Sequence, residues 1–135
     1  MHNSQKLPNI LETQETINSF VSVASSTNTI GLDTEFIRIK TFYPKLCLVQ
    51  IASDSKTVCI DYLQNNDLNK LWQLIFNPKK LKIFHSARQD LEILFLIKNR
   101  IPENIFDTQI GAALLGYPPQ VGIKRLLKDE LNIEI

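Results

Sequence analysis

Two carboxylates stand two residues apart inside an apolar run, Ile30-Gly31-Leu32-Asp33-Thr34-Glu35-Phe36. Read as a strand, this run sends Asp33 and Glu35 out of the same face, roughly 7 Å apart along the backbone. Gly31 lies on that face too and leaves room beside them. A buried carboxylate is costly unless it is paired or bound to a cation, so a strand that carries two of them needs a reason. Two readings are open: a strand end at which both acids reach water, or a face built to hold a positive ion.

The rest of the chain supplies the frame. Thr13, followed by Glu15, Ile17, Phe20, Val21 and Ala24, predicts an N-capped amphipathic helix that ends in the polar stretch Ser25 to Asn28. Leu46 to Ala52 is apolar almost throughout and predicts a strand buried on both faces. Ser53-Asp54-Ser55-Lys56 is turn chemistry, after which Thr57 to Ile60 returns as a paired strand. Asp67 is placed to cap a helix carrying Leu68, Leu71, Trp72, Ile75 and Phe76, which Asn77-Pro78 stops.

Leu81 to Phe84 is a short strand, and Ser86 is placed to cap a helix with Leu91, Leu94, Phe95 and Ile97 inward. Ile105-Phe106 is briefly extended. Asp107 opens a helix through Leu115, with Gly116 at C′ and Pro118-Pro119 beyond. The last helix, Ile123 to Leu131, sets Ile123, Leu126, Leu127 and Leu131 on one face. The order α, β, β, β, α, β, α, β, α, α predicts one α/β domain over residues 1–135. Its mixed sheet combines an antiparallel hairpin with parallel strands and is flanked by helices.

Asp90 falls one turn into the helix after Leu81–Phe84, near the carboxyl edge of a parallel arrangement, where ligands bind in open α/β sheets. On its own it also reads as a solvated acid that favours the helix dipole, and Asp107 reads as an N-cap. Acids converging at one sheet edge would suit Mg²⁺ or Mn²⁺, which prefer oxygen ligands.

Composition narrows the classes. A formal net charge of +1 gives no global basic field, which leaves a nucleic-acid partner to local cations or metals. Cys47 and Cys59 lie in apolar runs and read as reduced, buried thiols rather than a disulfide framework. Met1 to Leu11 lacks the apolar stretch of a signal peptide, and the longest apolar runs are far short of a membrane span. A cytoplasmic protein without a membrane partner is expected.

The flanks of the acids carry a resemblance. Ile30 to Phe36, with Thr41-Phe42-Tyr43-Pro44-Lys45-Leu46-Cys47-Leu48-Val49-Gln50-Ile51, resembles the opening motif of the ribonuclease D family. His85-Ser86-Ala87-Arg88-Gln89-Asp90-Leu91-Glu92 is similar to its second motif, and Ile105-Phe106-Asp107-Thr108-Gln109 to a later recurrent segment. The matches are collinear from Ile30 to about Leu131.

The resemblance implies a ribonuclease H-like fold, two divalent metal ions (Mg²⁺ or Mn²⁺) and hydrolysis of RNA from its 3′ end. Structured RNAs such as transfer-RNA precursors are the implied substrates. By position, Asp33 would bridge both ions, Glu35 would help hold the one that activates water, and Asp90 would serve the one near the leaving 3′ oxygen. Asp107 keeps its N-cap reading. Around them, His85, Phe36 and Tyr43 are candidates to lie against a terminal nucleotide, the aromatics by stacking. Arg38, Lys40, Lys45 and Arg88 are candidates for phosphate contacts. Each also has a plain structural reading, as a satisfied histidine, a core aromatic or a surface cation.

The family's third motif brings a tyrosine and, four residues later, a last metal aspartate. Here the residue four beyond Tyr117 is Val121, and the only Asp after Asp107 is Asp129, between Lys128 and Glu130. The expectation is a domain incomplete at its C-terminus and impaired as a nuclease by itself, its motif supplied by a missing C-terminal segment or a companion chain. A catalytically inactive remnant that still binds RNA is the alternative. Apolar surface left uncovered would favour self-association.

Overall fold

A computed structural model describes residues 9–40, 42–64 and 66–135. Its elements run β1 (Asn9–Leu11), α1 (Gln14–Ser25), β2 (Thr29–Ile37), β3 (Lys45–Ala52), β4 (Thr57–Asp61) and α2 (Asn69–Ile75). They continue as β5 (Leu81–Phe84), α3 (Arg88–Lys98), β6 (Ile105–Asp107), α4 (Thr108–Leu114) and α5 (Ile123–Leu131). One sheet holds the strands in the order β1-β4-β3-β2-β5-β6. β2, β3 and β4 form an antiparallel meander, while β1 lies parallel to β4, and β5 and β6 continue parallel from β2.

Alternation along β2 decides where the site can be. Ile30, Leu32 and Thr34 are buried, whereas Asp33 and Glu35 are exposed on the opposite face. The buried face packs with Ile17, Phe20 and Ala24 of α1, Leu71 and Ile75 of α2, and Leu94 of α3 in one hydrophobic cluster. Burying such a side chain contributes roughly 1.5–3 kcal/mol, so a slip of one residue in register would exchange that gain for two buried acids. Two buried lysines brace the entry to β5. Lys80 Nζ donates to the carbonyls of Ala24 and Thr27 at the end of α1, and Lys82 Nζ to those of Asn77 and Lys80.

Four sequence expectations need correction. β3 is not buried on both faces: Leu46, Val49 and Ile51 are buried but Leu48, Gln50 and Ala52 are half-open, because the acid-bearing side of the sheet is left open. Asp67 lies just before the Leu68 cap position of α2, although its Oδ1 still accepts from Asn69 N–H at 2.9 Å. Ser86 is not the cap of α3. It adopts φ 63°, and the helix follows Ala87 without a side-chain cap of its own. Phe95 is 49% exposed, and the inward partner of Leu94 is Ile93, which is 1% exposed.

One element had no clear sequence signature. β1 is three residues long, and only Ile10-Leu11 marks it, yet it pairs with Val58 to Ile60 and closes the far edge of the sheet.

Candidate active site

β2 and β3 pair so that Asp33 stands directly opposite Gln50 and Glu35 opposite Leu48. Cys47 then has no partner: the register shifts between Glu35 and Phe36, and β3 carries a bulge there. A bulge re-aims side chains and sharpens the twist, and this one begins where the acidic stretch ends. The Gln50 amide reaches across the strand pair. Its Nε2 donates to Asp33 Oδ2 and to Glu35 Oε1, both at 3.2 Å. Two like charges are thus held side by side by one neutral donor.

Asp90 approaches from the other side of β2. It is 6% exposed, and its Oδ1 accepts the backbone N–H of Thr34 at 2.9 Å and the Thr34 hydroxyl at 2.5 Å. The solvated helix-start acid is therefore not what the fold builds. Burial raises the Asp90 carboxyl above its usual range against the pull of those two bonds. Asp33 is raised as well, first by burial and then by the charges of Asp90 and Glu35. Cys59, opposite Gln50 on β4, feels the same acids: burial and then Glu35 and Asp33 push its thiol up. Cys47 and Cys59 are both free thiols, as expected.

Asp107 does different work. Its carboxylate accepts from Ser86 N–H at 2.9 Å, Ala87 N–H at 2.8 Å and Gln109 N–H at 2.9 Å. It therefore caps α4, as the sequence suggested, and also closes the N-terminus of α3, the helix that presents Asp90. Burial opposes its charge, but the N–H groups of Ala87, Ser86, Gln109 and Ile110 outweigh that and hold the carboxyl below its ordinary value.

The open face beside Asp33 forms a cleft of about 440 Å³ lined by Gly31, Gln50, Ala52, Ile83 and His85, among others. His85 thus reaches the cleft wall, but both ring nitrogens are engaged, with Thr108 Oγ1 at 2.8 Å and the Val121 carbonyl at 3.0 Å. A carbonyl only accepts, so Nε2 carries a proton. The other candidates lie outside the cleft. Phe36 packs partly buried against the core, and Tyr43 is exposed. Arg38 meets Glu92 of α3 at 3.8 Å, and Arg88 is exposed at the start of α3 beside Leu91 and Phe106.

The donor set suits a hard cation. Asp33 and Glu35 offer carboxylate oxygens on one open face, their mutual repulsion would be relieved by positive charge, and Asp90 adds its field to Asp33. Among the described residues, however, no three His, Cys, Asp or Glu side chains are drawn together closely enough to hold a metal ion. Sequence reasoning missed Gln50 and Thr34. Both are polar residues in apolar runs, Gln50 between Val49 and Ile51 and Thr34 on the buried face of β2, and that mismatch was the available signal.

A family model described as 3′–5′ exonuclease matches residues 8–135. The chain belongs to the 3′–5′ exonuclease family. The chain is 38% identical over 121 residues to ribonuclease D of Gluconacetobacter diazotrophicus, covering 89% of the chain and 31% of that protein. It is 37% identical over 131 residues to ribonuclease D of Desulfotalea psychrophila, covering 96% and 35%. The chain therefore spans about a third of the length of these curated relatives.

Among solved structures, it superimposes on Escherichia coli RNase D, an exoribonuclease involved in structured RNA processing, with a TM-score of 0.88 and 28% identity. That match covers 96% of this chain and 35% of the E. coli chain. Trypanosoma brucei RNase D in complex with RNA U12 matches with a TM-score of 0.82 at 20% identity, over 94% of the chain and 48% of the other, a likeness of fold. The mixed sheet and its helices are those of the ribonuclease H-like exonucleases, as the motifs implied. Among the described residues no helix is long and apolar enough to cross a membrane.

Proposed function

We propose that this chain forms the carboxylate-bearing part of a 3′–5′ exoribonuclease of ribonuclease D type, which hydrolyses phosphodiesters from RNA 3′ ends. The observation that carries the reading is the Asp33–Glu35 pair held on one open sheet face by Gln50, with Asp90 fixed behind the same strand. Asp33, Glu35 and Asp90 are the residues that would hold two divalent ions, Mg²⁺ or Mn²⁺. When bound, such a pair activates water and neutralises the charge on the leaving 3′ oxygen.

The residues of the chain supply order. Gln50 ties the two β2 carboxylates together beside the cleft that Asp33 lines, and Thr34 keeps Asp90 turned toward β2 through two donors. Asp107 holds the helix that carries Asp90. His85 helps shape the cleft wall that a terminal nucleotide would meet, while Tyr43 and Phe36 offer ring faces for stacking and Arg38 and Arg88 offer charge for phosphates. Transfer-RNA precursors and other structured RNAs are the substrates this reading favours.

The resemblance also implies a tyrosine followed four residues later by a last metal aspartate, a spacing that does not occur within these 135 residues. A second reading, RNA binding without turnover, is favoured by the sequence, in which the residue four beyond Tyr117 is Val121 rather than an aspartate. The test is a trimming assay on 5′-labelled single-stranded RNA with Mn²⁺. It compares the chain alone with a fusion to the segment that follows the matched region in a ribonuclease D relative. A ladder from the fusion that Asp33→Ala abolishes supports the nuclease. RNA left intact by the fusion, yet bound by it, would replace the proposal with the second reading.

A further inference from the structure

The β2–β3 hairpin projects past the acids, and its tip is apolar, aromatic and cationic at once. Ile37 is 47% exposed, Ile39 70%, Phe42 87% and Tyr43 62%. The Phe42 and Tyr43 rings meet edge to face, with centroids 4.9 Å apart, so each ring is steadied by the other while its remaining surface faces solvent. Exposed side chains of this size, grouped on one hairpin, mark a binding surface rather than scattered surface apolarity. Arg38, Lys40 and Lys45 are interleaved with them and exposed, Arg38 with Glu92 of α3 beside it at 3.8 Å, and residues 37–46 themselves contain no acid.

Position gives the patch its meaning. Ile37 pairs with Lys45 only two residues beyond Glu35 on the same strand, so the base of the tip lies roughly 7 Å further along the strand that carries the acids. A ligand reaching from the acidic pair onto the tip must be an extended polyanion with flat apolar faces. Stacking rings with interleaved cations are the chemistry by which proteins take unpaired nucleotides without reading sequence.

We infer that the Phe42–Tyr43 tip, with Arg38, Lys40 and Lys45, is a secondary docking site for single-stranded nucleic acid upstream of the end that lies at Asp33 and Glu35. This rests on the nuclease reading for the direction of the strand, but not for the existence of the site. Duplex, whose bases are already stacked on one another, gains little from such a tip.

The experiment is fluorescence anisotropy with a labelled 12-nucleotide single-stranded RNA and, separately, a dinucleotide, in EDTA so that no cleavage occurs. Phe42→Ala is expected to weaken 12-mer binding by roughly tenfold, to leave dinucleotide and duplex affinity unchanged, and to leave thermal unfolding unaltered because the Phe42 ring is exposed. Phe42→Trp keeps a ring and should retain the affinity.

Unchanged 12-mer affinity in the alanine variant would overturn the inference, as it would if the tip serves an apolar protein partner instead. Equal loss for dinucleotide and 12-mer would overturn it too. Its failure is separable from that of the nuclease: an intact RNA ladder with a neutral tip variant removes only the docking site. Tip-dependent binding without any trimming removes only the nuclease.

Discussion

Thr34 gives both its backbone N–H and its hydroxyl to a single oxygen, Asp90 Oδ1, at 2.9 and 2.5 Å. The strand that presents Asp33 and Glu35 on one face thus grips the helix acid with its other face. One oxygen of Asp90 is committed to the fold, and Oδ2 is left for other work.

Thr34→Val keeps the shape and deletes the hydroxyl donor. Bonds to a charged, buried acceptor contribute about 1.5–3 kcal/mol, and a loss of that order in urea unfolding at neutral pH is expected. Thr34→Ser should recover most of it. A Val variant as stable as the parent would mean that Asp90 is held by something else.

Asp107→Ala removes the acceptor shared by the N-termini of α3 and α4. Loss of one cap costs about 1 kcal/mol, and here three N–H groups lose their partner, so about 2 kcal/mol is expected. The folded carboxyl titrates below its ordinary value of 3.8. Its contribution is therefore present above that pH and disappears as pH falls through the depressed folded value. Stability curves of variant and parent should converge in acid, and curves that stay parallel would exclude the charge as the cause.

Asp33 shifts the opposite way. Its folded pKa lies above 3.8, so the folded chain holds the proton longer than the unfolded chain. The stability linked to that proton is full below 3.8 and is lost as pH rises through the folded value. Asp33→Asn escapes this loss and should be more stable than the parent at neutral pH without metal. The gain should stay under about 1 kcal/mol, because the side chain is largely exposed, and should vanish in acid. Thermal unfolding in EDTA across that range checks it, and a variant less stable at pH 7 would contradict the electrostatic account.

Much of this was legible in the residues. The period-two pattern of Ile30, Leu32 and Thr34 against Asp33 and Glu35 fixed which face of β2 is open, and the Asp107 cap followed from local chemistry alone. What escaped depended on pairing across distance. Gln50 becomes part of the site only through the register that sets it opposite Asp33, and Thr34 only through the packing of α3 behind β2. The same limit explains Ser86: a helix start with Ser before it reads as capped locally, whereas the cap arrives from Asp107, twenty-one residues later in sequence. Phe95 read as inward because the stripe was traced one position off, and Ile93 takes the core place.

The central claim is that Asp33, Glu35 and Asp90 jointly hold divalent ions, and Mn²⁺-dependent thermal unfolding tests it most directly. The account predicts saturable stabilisation of the parent chain, about 2.7 kcal/mol at a hundredfold excess over the dissociation constant. It also predicts that Asp33→Asn abolishes the effect and that Glu35→Gln and Asp90→Asn each weaken it. Stabilisation by Mn²⁺ that is absent in the parent, or undiminished in all three variants, would contradict it.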